Sequence, residues 1–145
     1  MELCDICAKE PYSHSFKLLQ KRDDSFVYYT CVANAKKYND ENGIVYHYMR
    51  YLDQLPTDKK WVWLFDCSML DAKHLVCYNV GVKLCELFDE HTYGERLEKI
   101  VIMNPNMYVH MIYILISPFL SRSMAEKIVY DYDHHSVDYW LSQKL

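Results

Sequence analysis

Ile100-Val-Ile-Met-Asn-Pro-Asn-Met-Tyr-Val-His-Met-Ile-Tyr-Ile-Leu-Ile-Ser-Pro-Phe-Leu-Ser121 contains no formally charged residue, in a chain of which 25% is charged. The stretch reads as the end of a strand, a turn at Asn104-Pro105-Asn106 and a helix over Met107 to Ile116. Ten helical residues reach about 15 Å, half the hydrocarbon thickness of a bilayer, so the helix is too short to span one. On a helical wheel, His110 and Tyr113, with Ser117 just beyond, make one narrow, weakly polar stripe. Met107, Val109, Met111, Ile112, Ile114, Leu115 and Ile116 cover the rest. A surface helix normally sets an apolar stripe against a charged face. One without a charged face is buried nearly all round, or meets something apolar that is not protein.

Working outward, Leu97 to Met103 reads as an apolar strand feeding the turn. The run Trp61-Val-Trp-Leu-Phe65, ending at Asp66, has the continuous apolarity of a strand covered on both faces. Between them, Asp71 to Glu90 repeats at helical spacing, with Asn79, Lys83, Glu86 and Glu90 on one face and Val76, Val80, Leu84, Leu87 and Phe88 on others. Asn39-Asp40 caps a helix from about Glu41 to Gln54, and Pro56 breaks the chain after it. Phe16 to Lys21 and Ser25 to Ala33 flank Arg22-Asp23-Asp24 as a hairpin. After Pro118, Ile128 to Tyr132 is a short strand and His134 to Leu141 a short helix. Strands alternating with helices imply an α/β domain with parallel pairings, and the hairpin makes the sheet mixed.

The 145 residues are one domain, long enough for a single core, with 51% hydrophobic and 15% aromatic content. Only 3 glycines and 4 prolines argue against a disordered or linker-rich chain. A net charge of −4 gives no general attraction to nucleic acid or anionic lipid, so any membrane contact must be mainly apolar. The N-terminus lacks a basic segment followed by an apolar one, so a cytoplasmic protein with reduced cysteines is expected. Cys4-x-x-Cys7 reads as a chance pair: a zinc site needs two further ligands in a second local pair, and His14 alone is not enough. Asp131 and Asp133 beside His134-His135 read as an acidic helix cap rather than a metal site. Asp66 and Asp71 lack a nucleophile, and Asp71 reads as a cap. Nucleophile elbow, P-loop and dinucleotide fingerprint are all missing, so no enzyme activity, metal or cofactor is expected.

Four segments in order resemble the lipid-binding domain of the Sec14-like (CRAL-TRIO) family. Trp61-Val-Trp-Leu-Phe-Asp66 is similar to the family's apolar strand ending in Asp. Tyr93-Gly-Glu-Arg-Leu-Glu-Lys-Ile-Val-Ile-Met-Asn-Pro105 resembles its Tyr-Pro-Glu-Arg segment, strand and Asn-Ala-Pro turn. Met111 to Leu120, ending Ser-Pro-Phe-Leu, resembles the gate helix and the Lys-Pro-Phe-Leu that closes it. Glu126-Lys127-Ile128-Val129 resembles the Lys-Ile opening the last core strand.

The resemblance covers about residues 16–141 of a single domain. It implies a mixed sheet of about five strands, with helices on one face and the gate helix over a lipid pocket on the other. It also implies the function: a lipid-binding and transfer protein holding one phospholipid, foremost a phosphoinositide, and exchanging it during transient contact with membranes. Acyl chains would lie between Trp61, Trp63, Phe65, Ile100 and Ile102 of the sheet and Met107, Met111, Ile112, Leu115, Ile116 and Phe119 of the gate. Glu95 and Lys127 would meet the headgroup, and the bound lipid would be the only ligand.

Departures from the family pattern are informative. Gly94 replaces the proline, the turn reads Asn-Pro-Asn, and Trp61 and Trp63 occupy positions of the small hydroxyl residues that hold a choline headgroup. Phosphatidylcholine is therefore disfavoured. A minimal form without the family's N-terminal helical lobe is expected. The alternative is a divergent adaptor of the same family that binds a small GTPase or another protein, its pocket filled by the two indoles.

Overall fold

The computed structural model describes Cys7, Lys9 and residues 13–143; the Cys4 half of the Cys-x-x-Cys pair lies outside them. Strands β1 (Lys17–Lys21) and β2 (Ser25–Cys31) form the hairpin, and helix α1 (Glu41–Leu52) leads to β3 (Lys60–Asp66). Helices α2 (Ala72–Val76), α3 (Asn79–Glu90) and α4 (Tyr93–Arg96) precede β4 (Leu97–Met103). Helix α5 (Met107–Ile116), a 3-10 turn at Ser117–Phe119, α6 (Arg122–Ala125), β5 (Ile128–Asp131) and α7 (Val137–Ser142) complete the chain.

The five strands lie in sequence order, β1-β2-β3-β4-β5. The first pair is antiparallel and the other three are parallel. This order decides where the helices go. Parallel crossovers are right-handed, so three of them stepping in one direction across a sheet lay all their helices on the same face. Accordingly α1, α3 and α5 all pack on the face carrying Trp61, Trp63, Ile100 and Ile102. The opposite face, with Val27, Val62, Leu64 and Val101, is covered by α7 through Trp140, Val137 and Leu141. The mixed five-stranded sheet is as expected, but the layer assignment is corrected: the gate helix shares a face with the other crossover helices. It sits inside the β4–β5 connection, so handedness gives it no other place.

Two further differences have local causes. The single helix expected from Asp71 to Glu90 is broken at Cys77 and Tyr78, because α2 packs against α5 whereas α3 packs against α1. Val76, expected in a packed face, is 79% exposed at that break. The last helix starts later than His134, which takes a left-handed φ of 55° that cannot begin a helix. Ser136 is its cap instead, accepting from the Tyr139 amide at 3.1 Å.

Candidate functional site: an apolar chamber under a charge-free helix

Helix α5 is anchored at its start by a polar knot. Asp66, the last residue of β3, accepts from Tyr29 Oη at 2.6 Å, Ser68 Oγ at 2.7 Å, the Ser68 amide at 2.9 Å and Asn104 Nδ2 at 3.0 Å. Burial works to raise its pKa, but these hydrogen bonds outweigh it and hold the carboxyl below the usual carboxylate range. Its oxygens are thus committed to structure, with Asp71 employed separately as the cap of α2. Asn104 itself adopts φ 49°, a left-handed conformation that asparagine tolerates well. Two residues on, Asn106 caps α5 with Oδ1 on the Tyr108 and Val109 amides, at 3.0 and 3.2 Å. Its Nδ2 donates back to the carbonyls of Leu70 and Cys67. The Asn-Pro-Asn turn therefore fixes where α5 begins and the direction in which it leaves the sheet.

Beneath α5 lies an apolar cavity of about 120 Å³, walled by Trp63, Phe65 and Ile100 of the sheet, Phe88 of α3, and Ile112 and Ile116 of α5. A second space of about 100 Å³ adjoins it toward Thr30, Tyr48 and His74. Phe65, Gly81, Leu84 and Ile112 border both. Gly81 matters here: a β-carbon on it would stand 3.3 Å from Ile116 Cγ2, tighter than ordinary contact. The missing side chain lets α5 settle close over α3.

Of the expected sheet residues, Trp63, Phe65, Ile100 and Ile102 line the chamber. Trp61 does not: it is fully buried beside Tyr28 and Phe88, and its Nε1 donates to the Tyr93 carbonyl at 2.8 Å. It is corrected from pocket wall to core. The gate divides in the same way. Ile112 and Ile116 face the chamber, whereas Met107, Met111, Leu115 and Phe119 are exposed on the outside, together with Ile114 at 69%. A helix apolar nearly all round carries no sign to tell inner from outer positions, so the sequence could not separate them.

Glu95 and Lys127 come together at one end of the sheet. Lys127 Nζ donates to the Gly94 carbonyl at 2.7 Å. Partial burial, with Lys60 nearby, pushes the Lys127 pKa down, and the Glu95 carboxylate opposes that shift. The glycine at position 94 has a local cause, since a β-carbon there would meet the Phe88 carbonyl oxygen at 2.9 Å. At the far end of β5, Asp131 accepts from the His135 amide, His135 Nδ1 and Trp140 Nε1 at 2.8–3.0 Å. It braces the turn into α7 rather than capping the helix. Among the described residues no helix is long and apolar enough to cross a membrane.

Comparisons with known proteins agree with this architecture. The family model for the CRAL/TRIO domain matches residues 27–143. No curated protein matches the sequence. The crystal structure of Sfh5 is similar in fold, with a TM-score of 0.64 at 14% identity over 79% of this chain. The matched part is 48% of Sfh5, so the chain spans about half its length. A sheet of this order, a charge-free helix closing an apolar chamber and a family match over most of the sequence converge: the chain belongs to the CRAL/TRIO domain family.

Proposed function

We propose that this domain binds one phospholipid, with a phosphoinositide preferred, and exchanges it at a membrane surface through movement of α5. The observation that carries the reading is the two-sided apolarity of that helix. Its inner residues roof the chamber, while Met107, Met111, Ile114, Leu115 and Phe119 stand in solvent. Each large apolar side chain left in water forgoes about 1.5–3 kcal/mol of burial, so a contiguous group of them suits a surface that periodically meets lipid. Small ligands usually occupy about 300–1,000 Å³, well above the cavity of about 120 Å³. Loading thus requires α5 to swing outward, and its exposed face would enter the bilayer as it does. Lys127 would hold a headgroup phosphate as a point charge and Glu95 would accept from inositol hydroxyls.

Native mass spectrometry of the freshly purified chain, with vesicle-to-vesicle transfer of fluorescent phosphatidylinositol, tests this. The expected result is one lipid per chain, transfer favouring phosphatidylinositol over phosphatidylcholine, and about tenfold weaker transfer in Lys127→Ala. A bare chain that transfers neither lipid overturns the proposal. A bare chain is the outcome expected of the adaptor reading, which the filling of the sheet floor by Trp61 and Trp63 favours.

A further inference from the structure

Cys7 is buried, 2% exposed, between two histidines that the sequence separates widely. Its Sγ stands 3.7 Å from His14 Nδ1 and 4.0 Å from His47 Nδ1, and also 4.0 Å from the His14 carbonyl. Both rings are as buried as the thiol. Zinc bonds of about 2.3 Å to sulfur and 2.0–2.1 Å to nitrogen, at tetrahedral angles, give an S···N edge of roughly 3.6 Å. The observed separations lie within about half an ångström of that.

The outer nitrogens of the two rings are equally well placed. His14 Nε2 pairs with Asp40 Oδ2 at 2.9 Å and His47 Nε2 with the Phe16 carbonyl at 2.8 Å. A carboxylate and a carbonyl only accept, so each Nε2 carries a hydrogen and a ligating ring would present its lone pair on Nδ1, toward Cys7. A thiol has one proton to offer two facing acceptors, whereas a cation bound to the thiolate engages both. Histidine ligands characteristically donate their second N–H to a carboxylate or backbone carbonyl in this way.

The space for this arrangement is made by Gly43. A β-carbon there would fall 2.0 Å from Asp40 Oδ2 and 2.8 Å from His14 Nε2. Asp40 serves two ends at once, its other oxygen accepting from the Gly43 amide at the start of α1. Thiolate and imidazole are zinc ligands, and this softer set excludes calcium and magnesium.

We propose that Cys7, His14 and His47 bind one Zn²⁺, clamping the chain around Cys7 and His14 onto α1. The Cys7 thiol becomes a thiolate on binding and releases one proton to solvent.

The full chain, purified without chelator, should contain one zinc by elemental mass spectrometry. After metal removal, Co²⁺ should give the intense visible bands of a tetrahedral site and a thiolate charge-transfer band in the near ultraviolet. Cys7→Ser and His47→Gln should each abolish the tetrahedral spectrum. Because a variant can fail by misfolding, the wild-type chain supplies an independent readout. Zinc at about a hundredfold above Kd should raise its melting temperature by about 5–10 °C. Substoichiometric metal, featureless cobalt spectra and an unmoved melting temperature would sink the site. Lipid transfer is measured separately, so loss of one function leaves the other readable.

Discussion

Gly81 of α3 faces Ile116 of α5 across the lip of the chamber, and the space of a missing methyl separates them. Helix α5 rests on that gap. Gly81→Ala should leave stability unchanged or raise it by up to about 1 kcal/mol, because alanine favours the helix interior. The same methyl presses on Ile116 and narrows both apolar spaces. Urea unfolding reads the first effect and lipid loading by native mass spectrometry the second. Stability preserved with loading weakened is the expected pair.

Asn106 ties the start of α5 to the loop after β3 through its amide and carbonyl oxygen. Asn106→Ala should cost about 1–2 kcal/mol, the value of a lost cap. The loss should be local: amide exchange at Tyr108 and Val109 accelerates more than exchange in β3 or β4. Uniform acceleration would show that the knot does not act on the gate in particular.

Trp63 Nε1 donates to Thr30 Oγ1 at 2.9 Å, and that oxygen also meets Tyr48 Oη at 2.7 Å. Trp63→Phe removes the donor and part of the chamber wall. It should cost about 2 kcal/mol in urea and enlarge the chamber. A carrier limited by its indole should then take up more or bulkier lipid. A filled-core adaptor should only lose stability.

Asp131 provides the acid sensitivity of the α7 face. Burial works to raise its pKa, but hydrogen bonds from Trp140 and His135 outweigh that and hold the carboxyl below the ordinary range. A depressed carboxyl contributes stability that is complete above about pH 5 and is lost as pH falls through the ordinary value near 4 to the folded one. Asp131→Asn should therefore cost about 2–3 kcal/mol at pH 7 and progressively less toward pH 3. Parallel urea midpoints of the two proteins across that range would contradict it.

Much of this was legible in the chain. The α1 cap at Asp40, the whole of β4 and the bounds of α5 follow from local patterns, because caps, period and charge act within a few residues. Whether Ile112 or Leu115 faces the chamber was not legible, since apolar side chains on opposite sides of one helix look alike. Nor was the Cys7 cluster: His47 is 40 residues away on α1, and only the packing of α1 against the segment before β1 brings it to the sulfur.

By itself, then, the sequence determined the order and kinds of the elements and the absence of charge from one helix, because hydrogen bonding and solvation of each segment are local. Tertiary structure decided which face α5 covers, that Trp61 is core rather than wall, and that two distant histidines meet one cysteine. Those outcomes depend on right-handed crossovers and close packing between segments far apart in the chain, which no window of residues contains.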